Sequence, residues 1–428
     1  MMQSNDIYQA YLQILREELI PAMGCTEPIA IAYGASYARD LLGELPDSME
    51  IEVSGNLIKN VKSVVVPNTG GLRGISAAAA AGVIAGHTDQ ILEVISQVSE
   101  AQKSAIADFI SNCPMRISLK DTPLTFDYQV TLHRGGNHTV VRIANFHTNI
   151  VYAAKNDQIL INRPVTGAAE TELTDRSILN LRDILEFAQT VDIADIAPMI
   201  ERQETYNSAI AAEGLNGSWG AEVGRGLLER GSKEVELRAR AAAAAGSDAR
   251  MNGCEMPVVI VSGSGNQGIA ASVPVVEFAQ NMGVRHEKML RALVVSDLVT
   301  IHQKTSLGRL SAFCGAVSAG AGAAAGICWL DGGDYDMISN TIINALAVSS
   351  GMVCDGAKSS CAGKIALAVE SGLTGWYMAK KGRRYPGGDG LVSDNVEQTI
   401  ANVGKMGHDG MRQTDHEILQ IMTSGTVI

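Results

Sequence analysis

Cys314-Gly-Ala-Val-Ser-Ala-Gly-Ala-Gly-Ala-Ala-Ala-Gly-Ile-Cys328, followed further on by Cys354-Asp-Gly-Ala-Lys-Ser-Ser-Cys361, is the stretch around which the chain reads. It carries four of the seven cysteines in surroundings almost free of charge. Helices made of Gly and Ala can approach closely, so the stretch predicts a tightly packed all-α region. Thiolates are the natural ligands of soft iron, and an iron–sulfur cluster needs several that converge from different segments. Cys354 and Cys361 bracket a polar turn with no role in a core. Cys314 begins a Gly-rich helix able to fold back onto them. Cys328, mid-helix beside Trp329, reads as structural, since a buried cysteine is most often a small apolar residue. Three ligands leave one iron of a four-iron cluster open as a Lewis acid. Zinc is the competing metal, but it prefers a closed set of four ligands at closer spacing.

Beyond this stretch, the 428 residues suffice for two or three domains. Hydrophobic residues make up 46% and charged residues 19%, a globular composition, whereas aromatics are only 4% and Gly numbers 44, so small residues do much of the packing. A net charge of −12 without a long basic run argues against nucleic acid and against an anionic membrane surface. The segment 311–330 is uncharged but too rich in Gly, Ala and Ser to insert well, so no membrane span is expected. The N-terminus lacks the basic start and apolar core of a secretion signal. Seven cysteines without the spacing of a disulfide scaffold point to the reducing cytoplasm. A homodimer is the expected assembly.

The first part of the chain mixes helix and strand. Tyr8, Tyr11, Leu12, Leu15 and Leu19 recur at helical spacing. In Met23-Gly24-Cys25-Thr26-Glu27-Pro28, Thr26 is a plausible N-cap and Pro28 suits a first turn, placing Cys25 at the positive end of a helix. That placement lowers a thiol's pKa. A small buried residue in a turn suits the same position, and position alone does not separate the two readings. Strands are expected at 49–54 and 61–66, each followed by a polar turn, Gly55-Asn56 and Pro67-Asn68-Thr69-Gly70-Gly71. Asn56, Asn68 and Thr69 there could hold a small carboxylate, although ordinary loop chemistry explains them better on sequence alone. Runs at 117–119, 126–132, 140–146 and 150–154 read as an antiparallel meander, with His147 between the last two as a candidate proton carrier.

From about residue 175 the pattern is helical to the end. The fold expected is therefore an α+β N-terminal part, residues 1–170, followed by a larger all-α, Gly/Ala-rich helical domain, residues 171–428. The boundary falls near Gly167–Thr174. Within the helical part, Ser262-Gly263-Ser264-Gly265-Asn266-Gln267-Gly268 matches the spacing of a dinucleotide-binding turn. No run of alternating strands and helices surrounds it. The better reading is a Gly-rich turn that opens a buried helix, with Asn266 and Gln267 at the site.

Met23–Pro28, Ser54-Gly55-Asn56, Ser262–Gly268 and the Cys314, Cys354, Cys361 spacing together resemble the L-cysteine desulfidase family. They are more distantly similar to the α part of iron–sulfur L-serine dehydratases. The resemblance spans essentially the whole chain. It implies that Cys314, Cys354 and Cys361 hold a [4Fe–4S] cluster and that Cys25 is the base removing the α-proton of a small amino-acid substrate. The implied reaction converts L-cysteine and water to pyruvate, ammonia and hydrogen sulfide. An L-serine ammonia-lyase on the same site is the alternative within this chemistry. A non-catalytic amino-acid-binding or redox-sensing protein is the alternative of another class. Cysteine ranks above serine because a hydroxyl leaving group demands more Lewis acidity.

Overall fold

The periodic run of Tyr8, Tyr11, Leu12 and Leu15 is realised as the first helix of a computed structural model, which describes residues 5–165, 173–231, 234–308 and 311–423. The elements of the first part are α1 (Asn5–Glu18), β1 (Pro21–Met23), α2 (Thr26–Leu42), β2 (Ser48–Val53), α3 (Gly55–Val61), α4 (Gly74–Ala85) and α5 (Glu100–Asn112). Strands β3 (Met115–Leu119), β4 (Asp127–Arg134), β5 (Asn137–Ala144), β6 (Ile150–Lys155) and β7 (Gln158–Asn162) come next. The second part comprises α6 (Leu181–Thr190), α7 (Ile193–Asn216), α8 (Val223–Leu228), α9 (Val235–Met251), β8 (Pro257–Val259), α10 (Gly265–Met282) and α11 (His286–Leu307). It continues through α12 (Ala316–Leu330), α13 (Tyr335–Ser349), α14 (Cys361–Lys380), α15 (Val396–Lys405) and α16 (Arg412–Thr423). A sheet-bearing N-terminal part thus precedes a larger helical one, as expected. Most of the expected boundary near Gly167–Thr174 lies outside the described residues.

The sheet runs in the order β3-β2-β4-β5-β6-β7, with β2–β3 parallel and the other pairs antiparallel. The four runs expected as strands at 117–154 all lie in it, but only β4, β5 and β6 form the expected antiparallel meander, which β7 extends, while β3 pairs in parallel with β2 at the sheet edge. Its apolar face is covered by α2: the Tyr128 hydroxyl donates to the Ala30 carbonyl, and Thr139 Oγ1 donates to Ala38 O at 3.0 Å. The strand expected at 61–66 is absent. Residues 55–61 are α3, and Val65 makes only an isolated bridge to Arg73. Val64 and Val66 are fully buried. A short apolar run reports burial, and burial is shared by strands and irregular segments alike.

In the helical part α11, α12, α13 and α14 share one apolar core, into which α1 also packs through Tyr11, Leu12 and Leu15. The small residues act as the composition suggests. Gly320 of α12 sits so close to α14 that a Cβ there would meet the Ala368 carbonyl. Cys328 is fully buried in this core. No helix among the described residues is long and apolar enough to cross a membrane.

Two short pairings bring distant segments of the chain together. The ribbon β1–β8 sets Pro21 opposite Val259 and Met23 opposite Pro257, and Ile260 N–H donates to Ile20 O at 2.9 Å. This antiparallel ribbon brings Cys25 beside the Gly-rich turn that opens α10, and it excludes the parallel-sheet setting of a dinucleotide fold. The second is the bridge between Phe313 and Val353, where Cys314 N–H donates to Met352 O (3.0 Å) and Cys354 N–H to Ala312 O (2.7 Å).

Candidate active site

One cavity of about 100 Å³ is lined by Cys25, Asn266, Cys314, Cys354 and Cys361 together. The Phe313–Val353 bridge juxtaposes the segments of Cys314 and Cys354, although 39 residues lie between them in the chain. The turn after Cys354 returns Cys361 to the same wall, where Cys361 N–H donates to Lys358 O at 2.9 Å. Lys364 holds that turn by donating to Val353 O (2.7 Å) and pairing with Asp355. Gly356, at φ +96°, presses on α3, and a Cβ there would overlap the Lys59 carbonyl oxygen.

Four helices begin at this cavity: α2 after Cys25, α10 with Asn266 and Gln267, α12 just after Cys314 and α14 at Cys361. Helix N-termini favour negative charge, so the arrangement suits thiolates and carboxylates. Burial opposes it. It pushes Cys314 up to about 12, helped by neighbouring Cys354, and raises Cys361 as well. Metal ligation removes such protons, since thiolate is the binding form.

Cys25 caps α2 in place of the expected Thr26. Its thiol donates to Glu27 Oε2 at 3.1 Å. Burial, and then the Glu27 charge, raise its pKa well above the ordinary thiol value, against the opposing pull of Arg250. The shift is therefore opposite to that expected from the helix end alone. Glu27 is itself held by Thr26 Oγ1 (3.1 Å) and Asn60 Nδ2 (3.2 Å), and Thr26 Oγ1 also reaches Gly263 O at 2.9 Å. Cys25 and Glu27 thus form a buried donor–acceptor pair, thiol to carboxylate.

The remaining sequence candidates lie elsewhere. Asn56 opens α3 and lines a separate cavity with Lys59 and Asp415. Asn60, one turn later, is the Asn of α3 that lines the thiol cavity. Asn68 donates to Ile95 O at 2.8 Å, in the segment after α4, and Thr69 to Val66 O at 2.7 Å in its own turn, both side chains being buried. His147 packs edge-on against Phe126, with ring centroids 4.7 Å apart. None of these four lines the thiol cavity. Sequence reading assigned no role to Glu27, Asn60, Arg250, Lys304 or Lys364, which do line it. Glu27 stands within the Cys25 motif, two residues on. Arg250 follows the Ala-rich run 241–249 of α9, and a basic residue at the end of that apolar stretch was the available signal.

Among the described residues, no three His, Cys, Asp or Glu side chains close on one point as ligands of a single ion would. Cys314, Cys354 and Cys361 instead stand around a cavity walled by Gly315, Ala316, Gly356 and Ala357. Soft donors, small neighbours and converging helix N-termini fit a polynuclear iron–sulfur group better than zinc.

The serine dehydratase alpha chain family matches residues 87–420, which include Arg250, Asn266 and the three thiols but not Cys25. A UPF0597 protein of Desulfitobacterium hafniense is 53% identical over 422 residues, 99% of this chain and 98% of that one. A UPF0597 protein of Treponema denticola is 47% identical over 421 residues, covering 97% and 98%. One from Lachnoclostridium phytofermentans is 45% identical over 416 residues, covering 97% and 100%. With a family match over most of its length and relatives that align from end to end, the chain belongs to the serine dehydratase alpha chain family.

Proposed function

We propose that this protein is an iron–sulfur β-eliminating lyase acting on L-cysteine, releasing pyruvate, ammonia and hydrogen sulfide. The observation that carries the reading is that one cavity gathers Cys25, Cys314, Cys354 and Cys361 from segments far apart in the chain. Cys314, Cys354 and Cys361 would hold the cluster, which supplies Lewis acidity toward the substrate's leaving group or carboxylate.

The chain's own residues account for the proton. Cys25 Sγ takes the α-proton once its thiol proton has passed to Glu27, 3.1 Å away. Arg250 favours the thiolate that this transfer creates. Electrons from the broken Cα–H bond form the Cα–Cβ double bond as the Cβ–S bond breaks, and the departing hydrosulfide takes up the proton held by Glu27, so that hydrogen sulfide leaves with Cys25 again a thiol and Glu27 again a carboxylate. The resulting aminoacrylate tautomerises, and water hydrolyses it to pyruvate and ammonia. Asn60 and Thr26 keep Glu27 aimed at the thiol. Asn266, at the first turn of α10, faces the same cavity and binds substrate. The family match favours serine as the second substrate, with water in place of hydrogen sulfide as the leaving molecule.

The test is sulfide and pyruvate release from a panel of amino acids by anaerobically iron-loaded protein. L-cysteine should outpace L-serine. Cys25→Ala should lower turnover by about 10²-fold or more while the brown colour remains. Wild-type turnover in that variant would remove Cys25 from the chemistry, and faster release from L-serine would reverse the substrate order.

A further inference from the structure

Arg250 is 2% exposed, at the end of α9, and it lines the cavity. Its guanidinium lies against Gly265, at the start of α10. Nε is buried without a hydrogen-bond partner. The other charged groups lining the cavity are committed. Glu27 accepts from Cys25, Thr26 and Asn60; Lys364 holds Val353 O and Asp355; Lys304 has interactions of its own. A guanidinium cannot shed its proton, and a buried charge without a counterion is strongly unfavourable. An anion from outside the chain would complete it.

Two acceptors in the same wall describe the rest of that ligand. Asn266 Oδ1 and Gln267 Oε1 are buried, without partners, and line the cavity. Acceptors suit an ammonium, while the fork of Arg250 and the N-terminus of α10 suit a carboxylate. The cavity is small and has apolar walls at Phe313 and Ile365. We propose that Arg250 is the carboxylate anchor of this site, with Asn266 and Gln267 receiving the ammonium, so that it selects small α-amino acids bearing a free carboxylate. The proposal deepens the lyase reading and rests on it only in taking this cavity as the substrate site.

The test is equilibrium binding to full-length, iron-loaded protein by calorimetry. L-alanine, which has no β-leaving group, is the probe, and L-alaninamide is its uncharged-carboxyl counterpart. Wild-type protein should bind L-alanine at least tenfold more tightly than the amide. Arg250→Gln should weaken L-alanine binding at least tenfold and erase that preference. Arg250→Lys, which keeps the charge but loses the fork, should fall between. Visible absorbance of the cluster should be the same in all three. Equal affinity of wild-type protein for acid and amide overturns the proposal without any variant. So does Arg250→Gln binding L-alanine like wild type. Loss of cluster absorbance in Arg250→Gln and its retention in Arg250→Lys would assign the guanidinium to the cluster's charge and overturn it too. A protein that binds L-alanine through Arg250 yet releases neither sulfide nor pyruvate keeps the anchor and loses the lyase reading.

Discussion

Asp297 shows what an ionisable side chain costs in this core. It sits mid-helix in α11, fully buried, with Gln203 Nε2 donating to Oδ1 at 2.8 Å. Burial pushes its carboxyl up to about 7, against the downward pull of Gln203. In the unfolded chain the same carboxyl titrates near about 3.9. Between those values the folded state holds more protons than the unfolded one, so this contribution to stability is full at low pH and is lost as pH rises toward 7. Asp297→Asn should therefore flatten the pH dependence, sparing on the order of 2 kcal/mol of stability between about pH 5 and about pH 8. Urea unfolding at the two pH values measures it, and an unchanged difference would remove Asp297 as its source. At this scale the sequence was most legible where a residue type is chemically scarce. Cys25, Cys314, Cys354 and Cys361 drew attention one by one, and all four line the cavity. Arg250 did not, because a basic residue on a helix ordinarily reads as solvated surface. Nor did position reveal that Asn68 and Thr69 spend their polar atoms on Ile95 O and Val66 O.

At the scale of elements, the site depends on how closely the turn between α13 and α14 can lie against α3. Gly356 is the point of contact. Its φ of +96° is one that L side chains rarely adopt, and a Cβ would overlap Lys59 O. Lys59 cannot retreat freely, since its ammonium pairs with Asp415 of α16 and its side chain is 2% exposed. Gly356→Ala should therefore push the turn off α3 and carry Cys354 and Cys361 with it. The backbone strain alone is on the order of 1–2 kcal/mol. Iron bound per chain should fall severalfold, with little change in helix content by circular dichroism, because Gly356 itself lies outside every helix and α3 is only seven residues long. Full iron loading would show that the turn tolerates the shift. This contact was invisible in sequence because α3 was itself misread. Its residues 55–61 looked like a turn leading into a strand, since the following Val64–Val66 run carries the β-branched signature without the pairing partner a strand requires. Helix α1 was legible because Tyr11, Leu12 and Leu15 bury one face at helical spacing, and β4 and β5 because burial alternates along them.

For the whole molecule the decisive feature is that neither part closes its core alone. Ile210, Ala242, Val258 and Ile269, from the helical part, lie in the same apolar cluster as Ile29, Val53 and Tyr128. Tyr11 of α1 lies in the helical core beside Leu179 and Phe187. The ribbon β1–β8 stitches the two across 233 intervening residues. Such long-range closure leaves no local mark: three residues in each strand are too few for alternation to register, so the change to a helical pattern from about residue 175 spoke louder than the joint it hides. The cavity sits on that joint, taking Cys25, Glu27 and Asn60 from one side and Arg250, Asn266 and the three thiols from the other. Full-length protein should accordingly unfold in one calorimetric transition with calorimetric and van't Hoff enthalpies in agreement. A ligand seated in the cavity should raise that single transition as a whole, because it binds only when both sides are folded. Two resolved transitions, with L-alanine shifting only the one assigned to the helical part, would mean that the two cores are independent and that Cys25 is not held against the thiols by a shared fold.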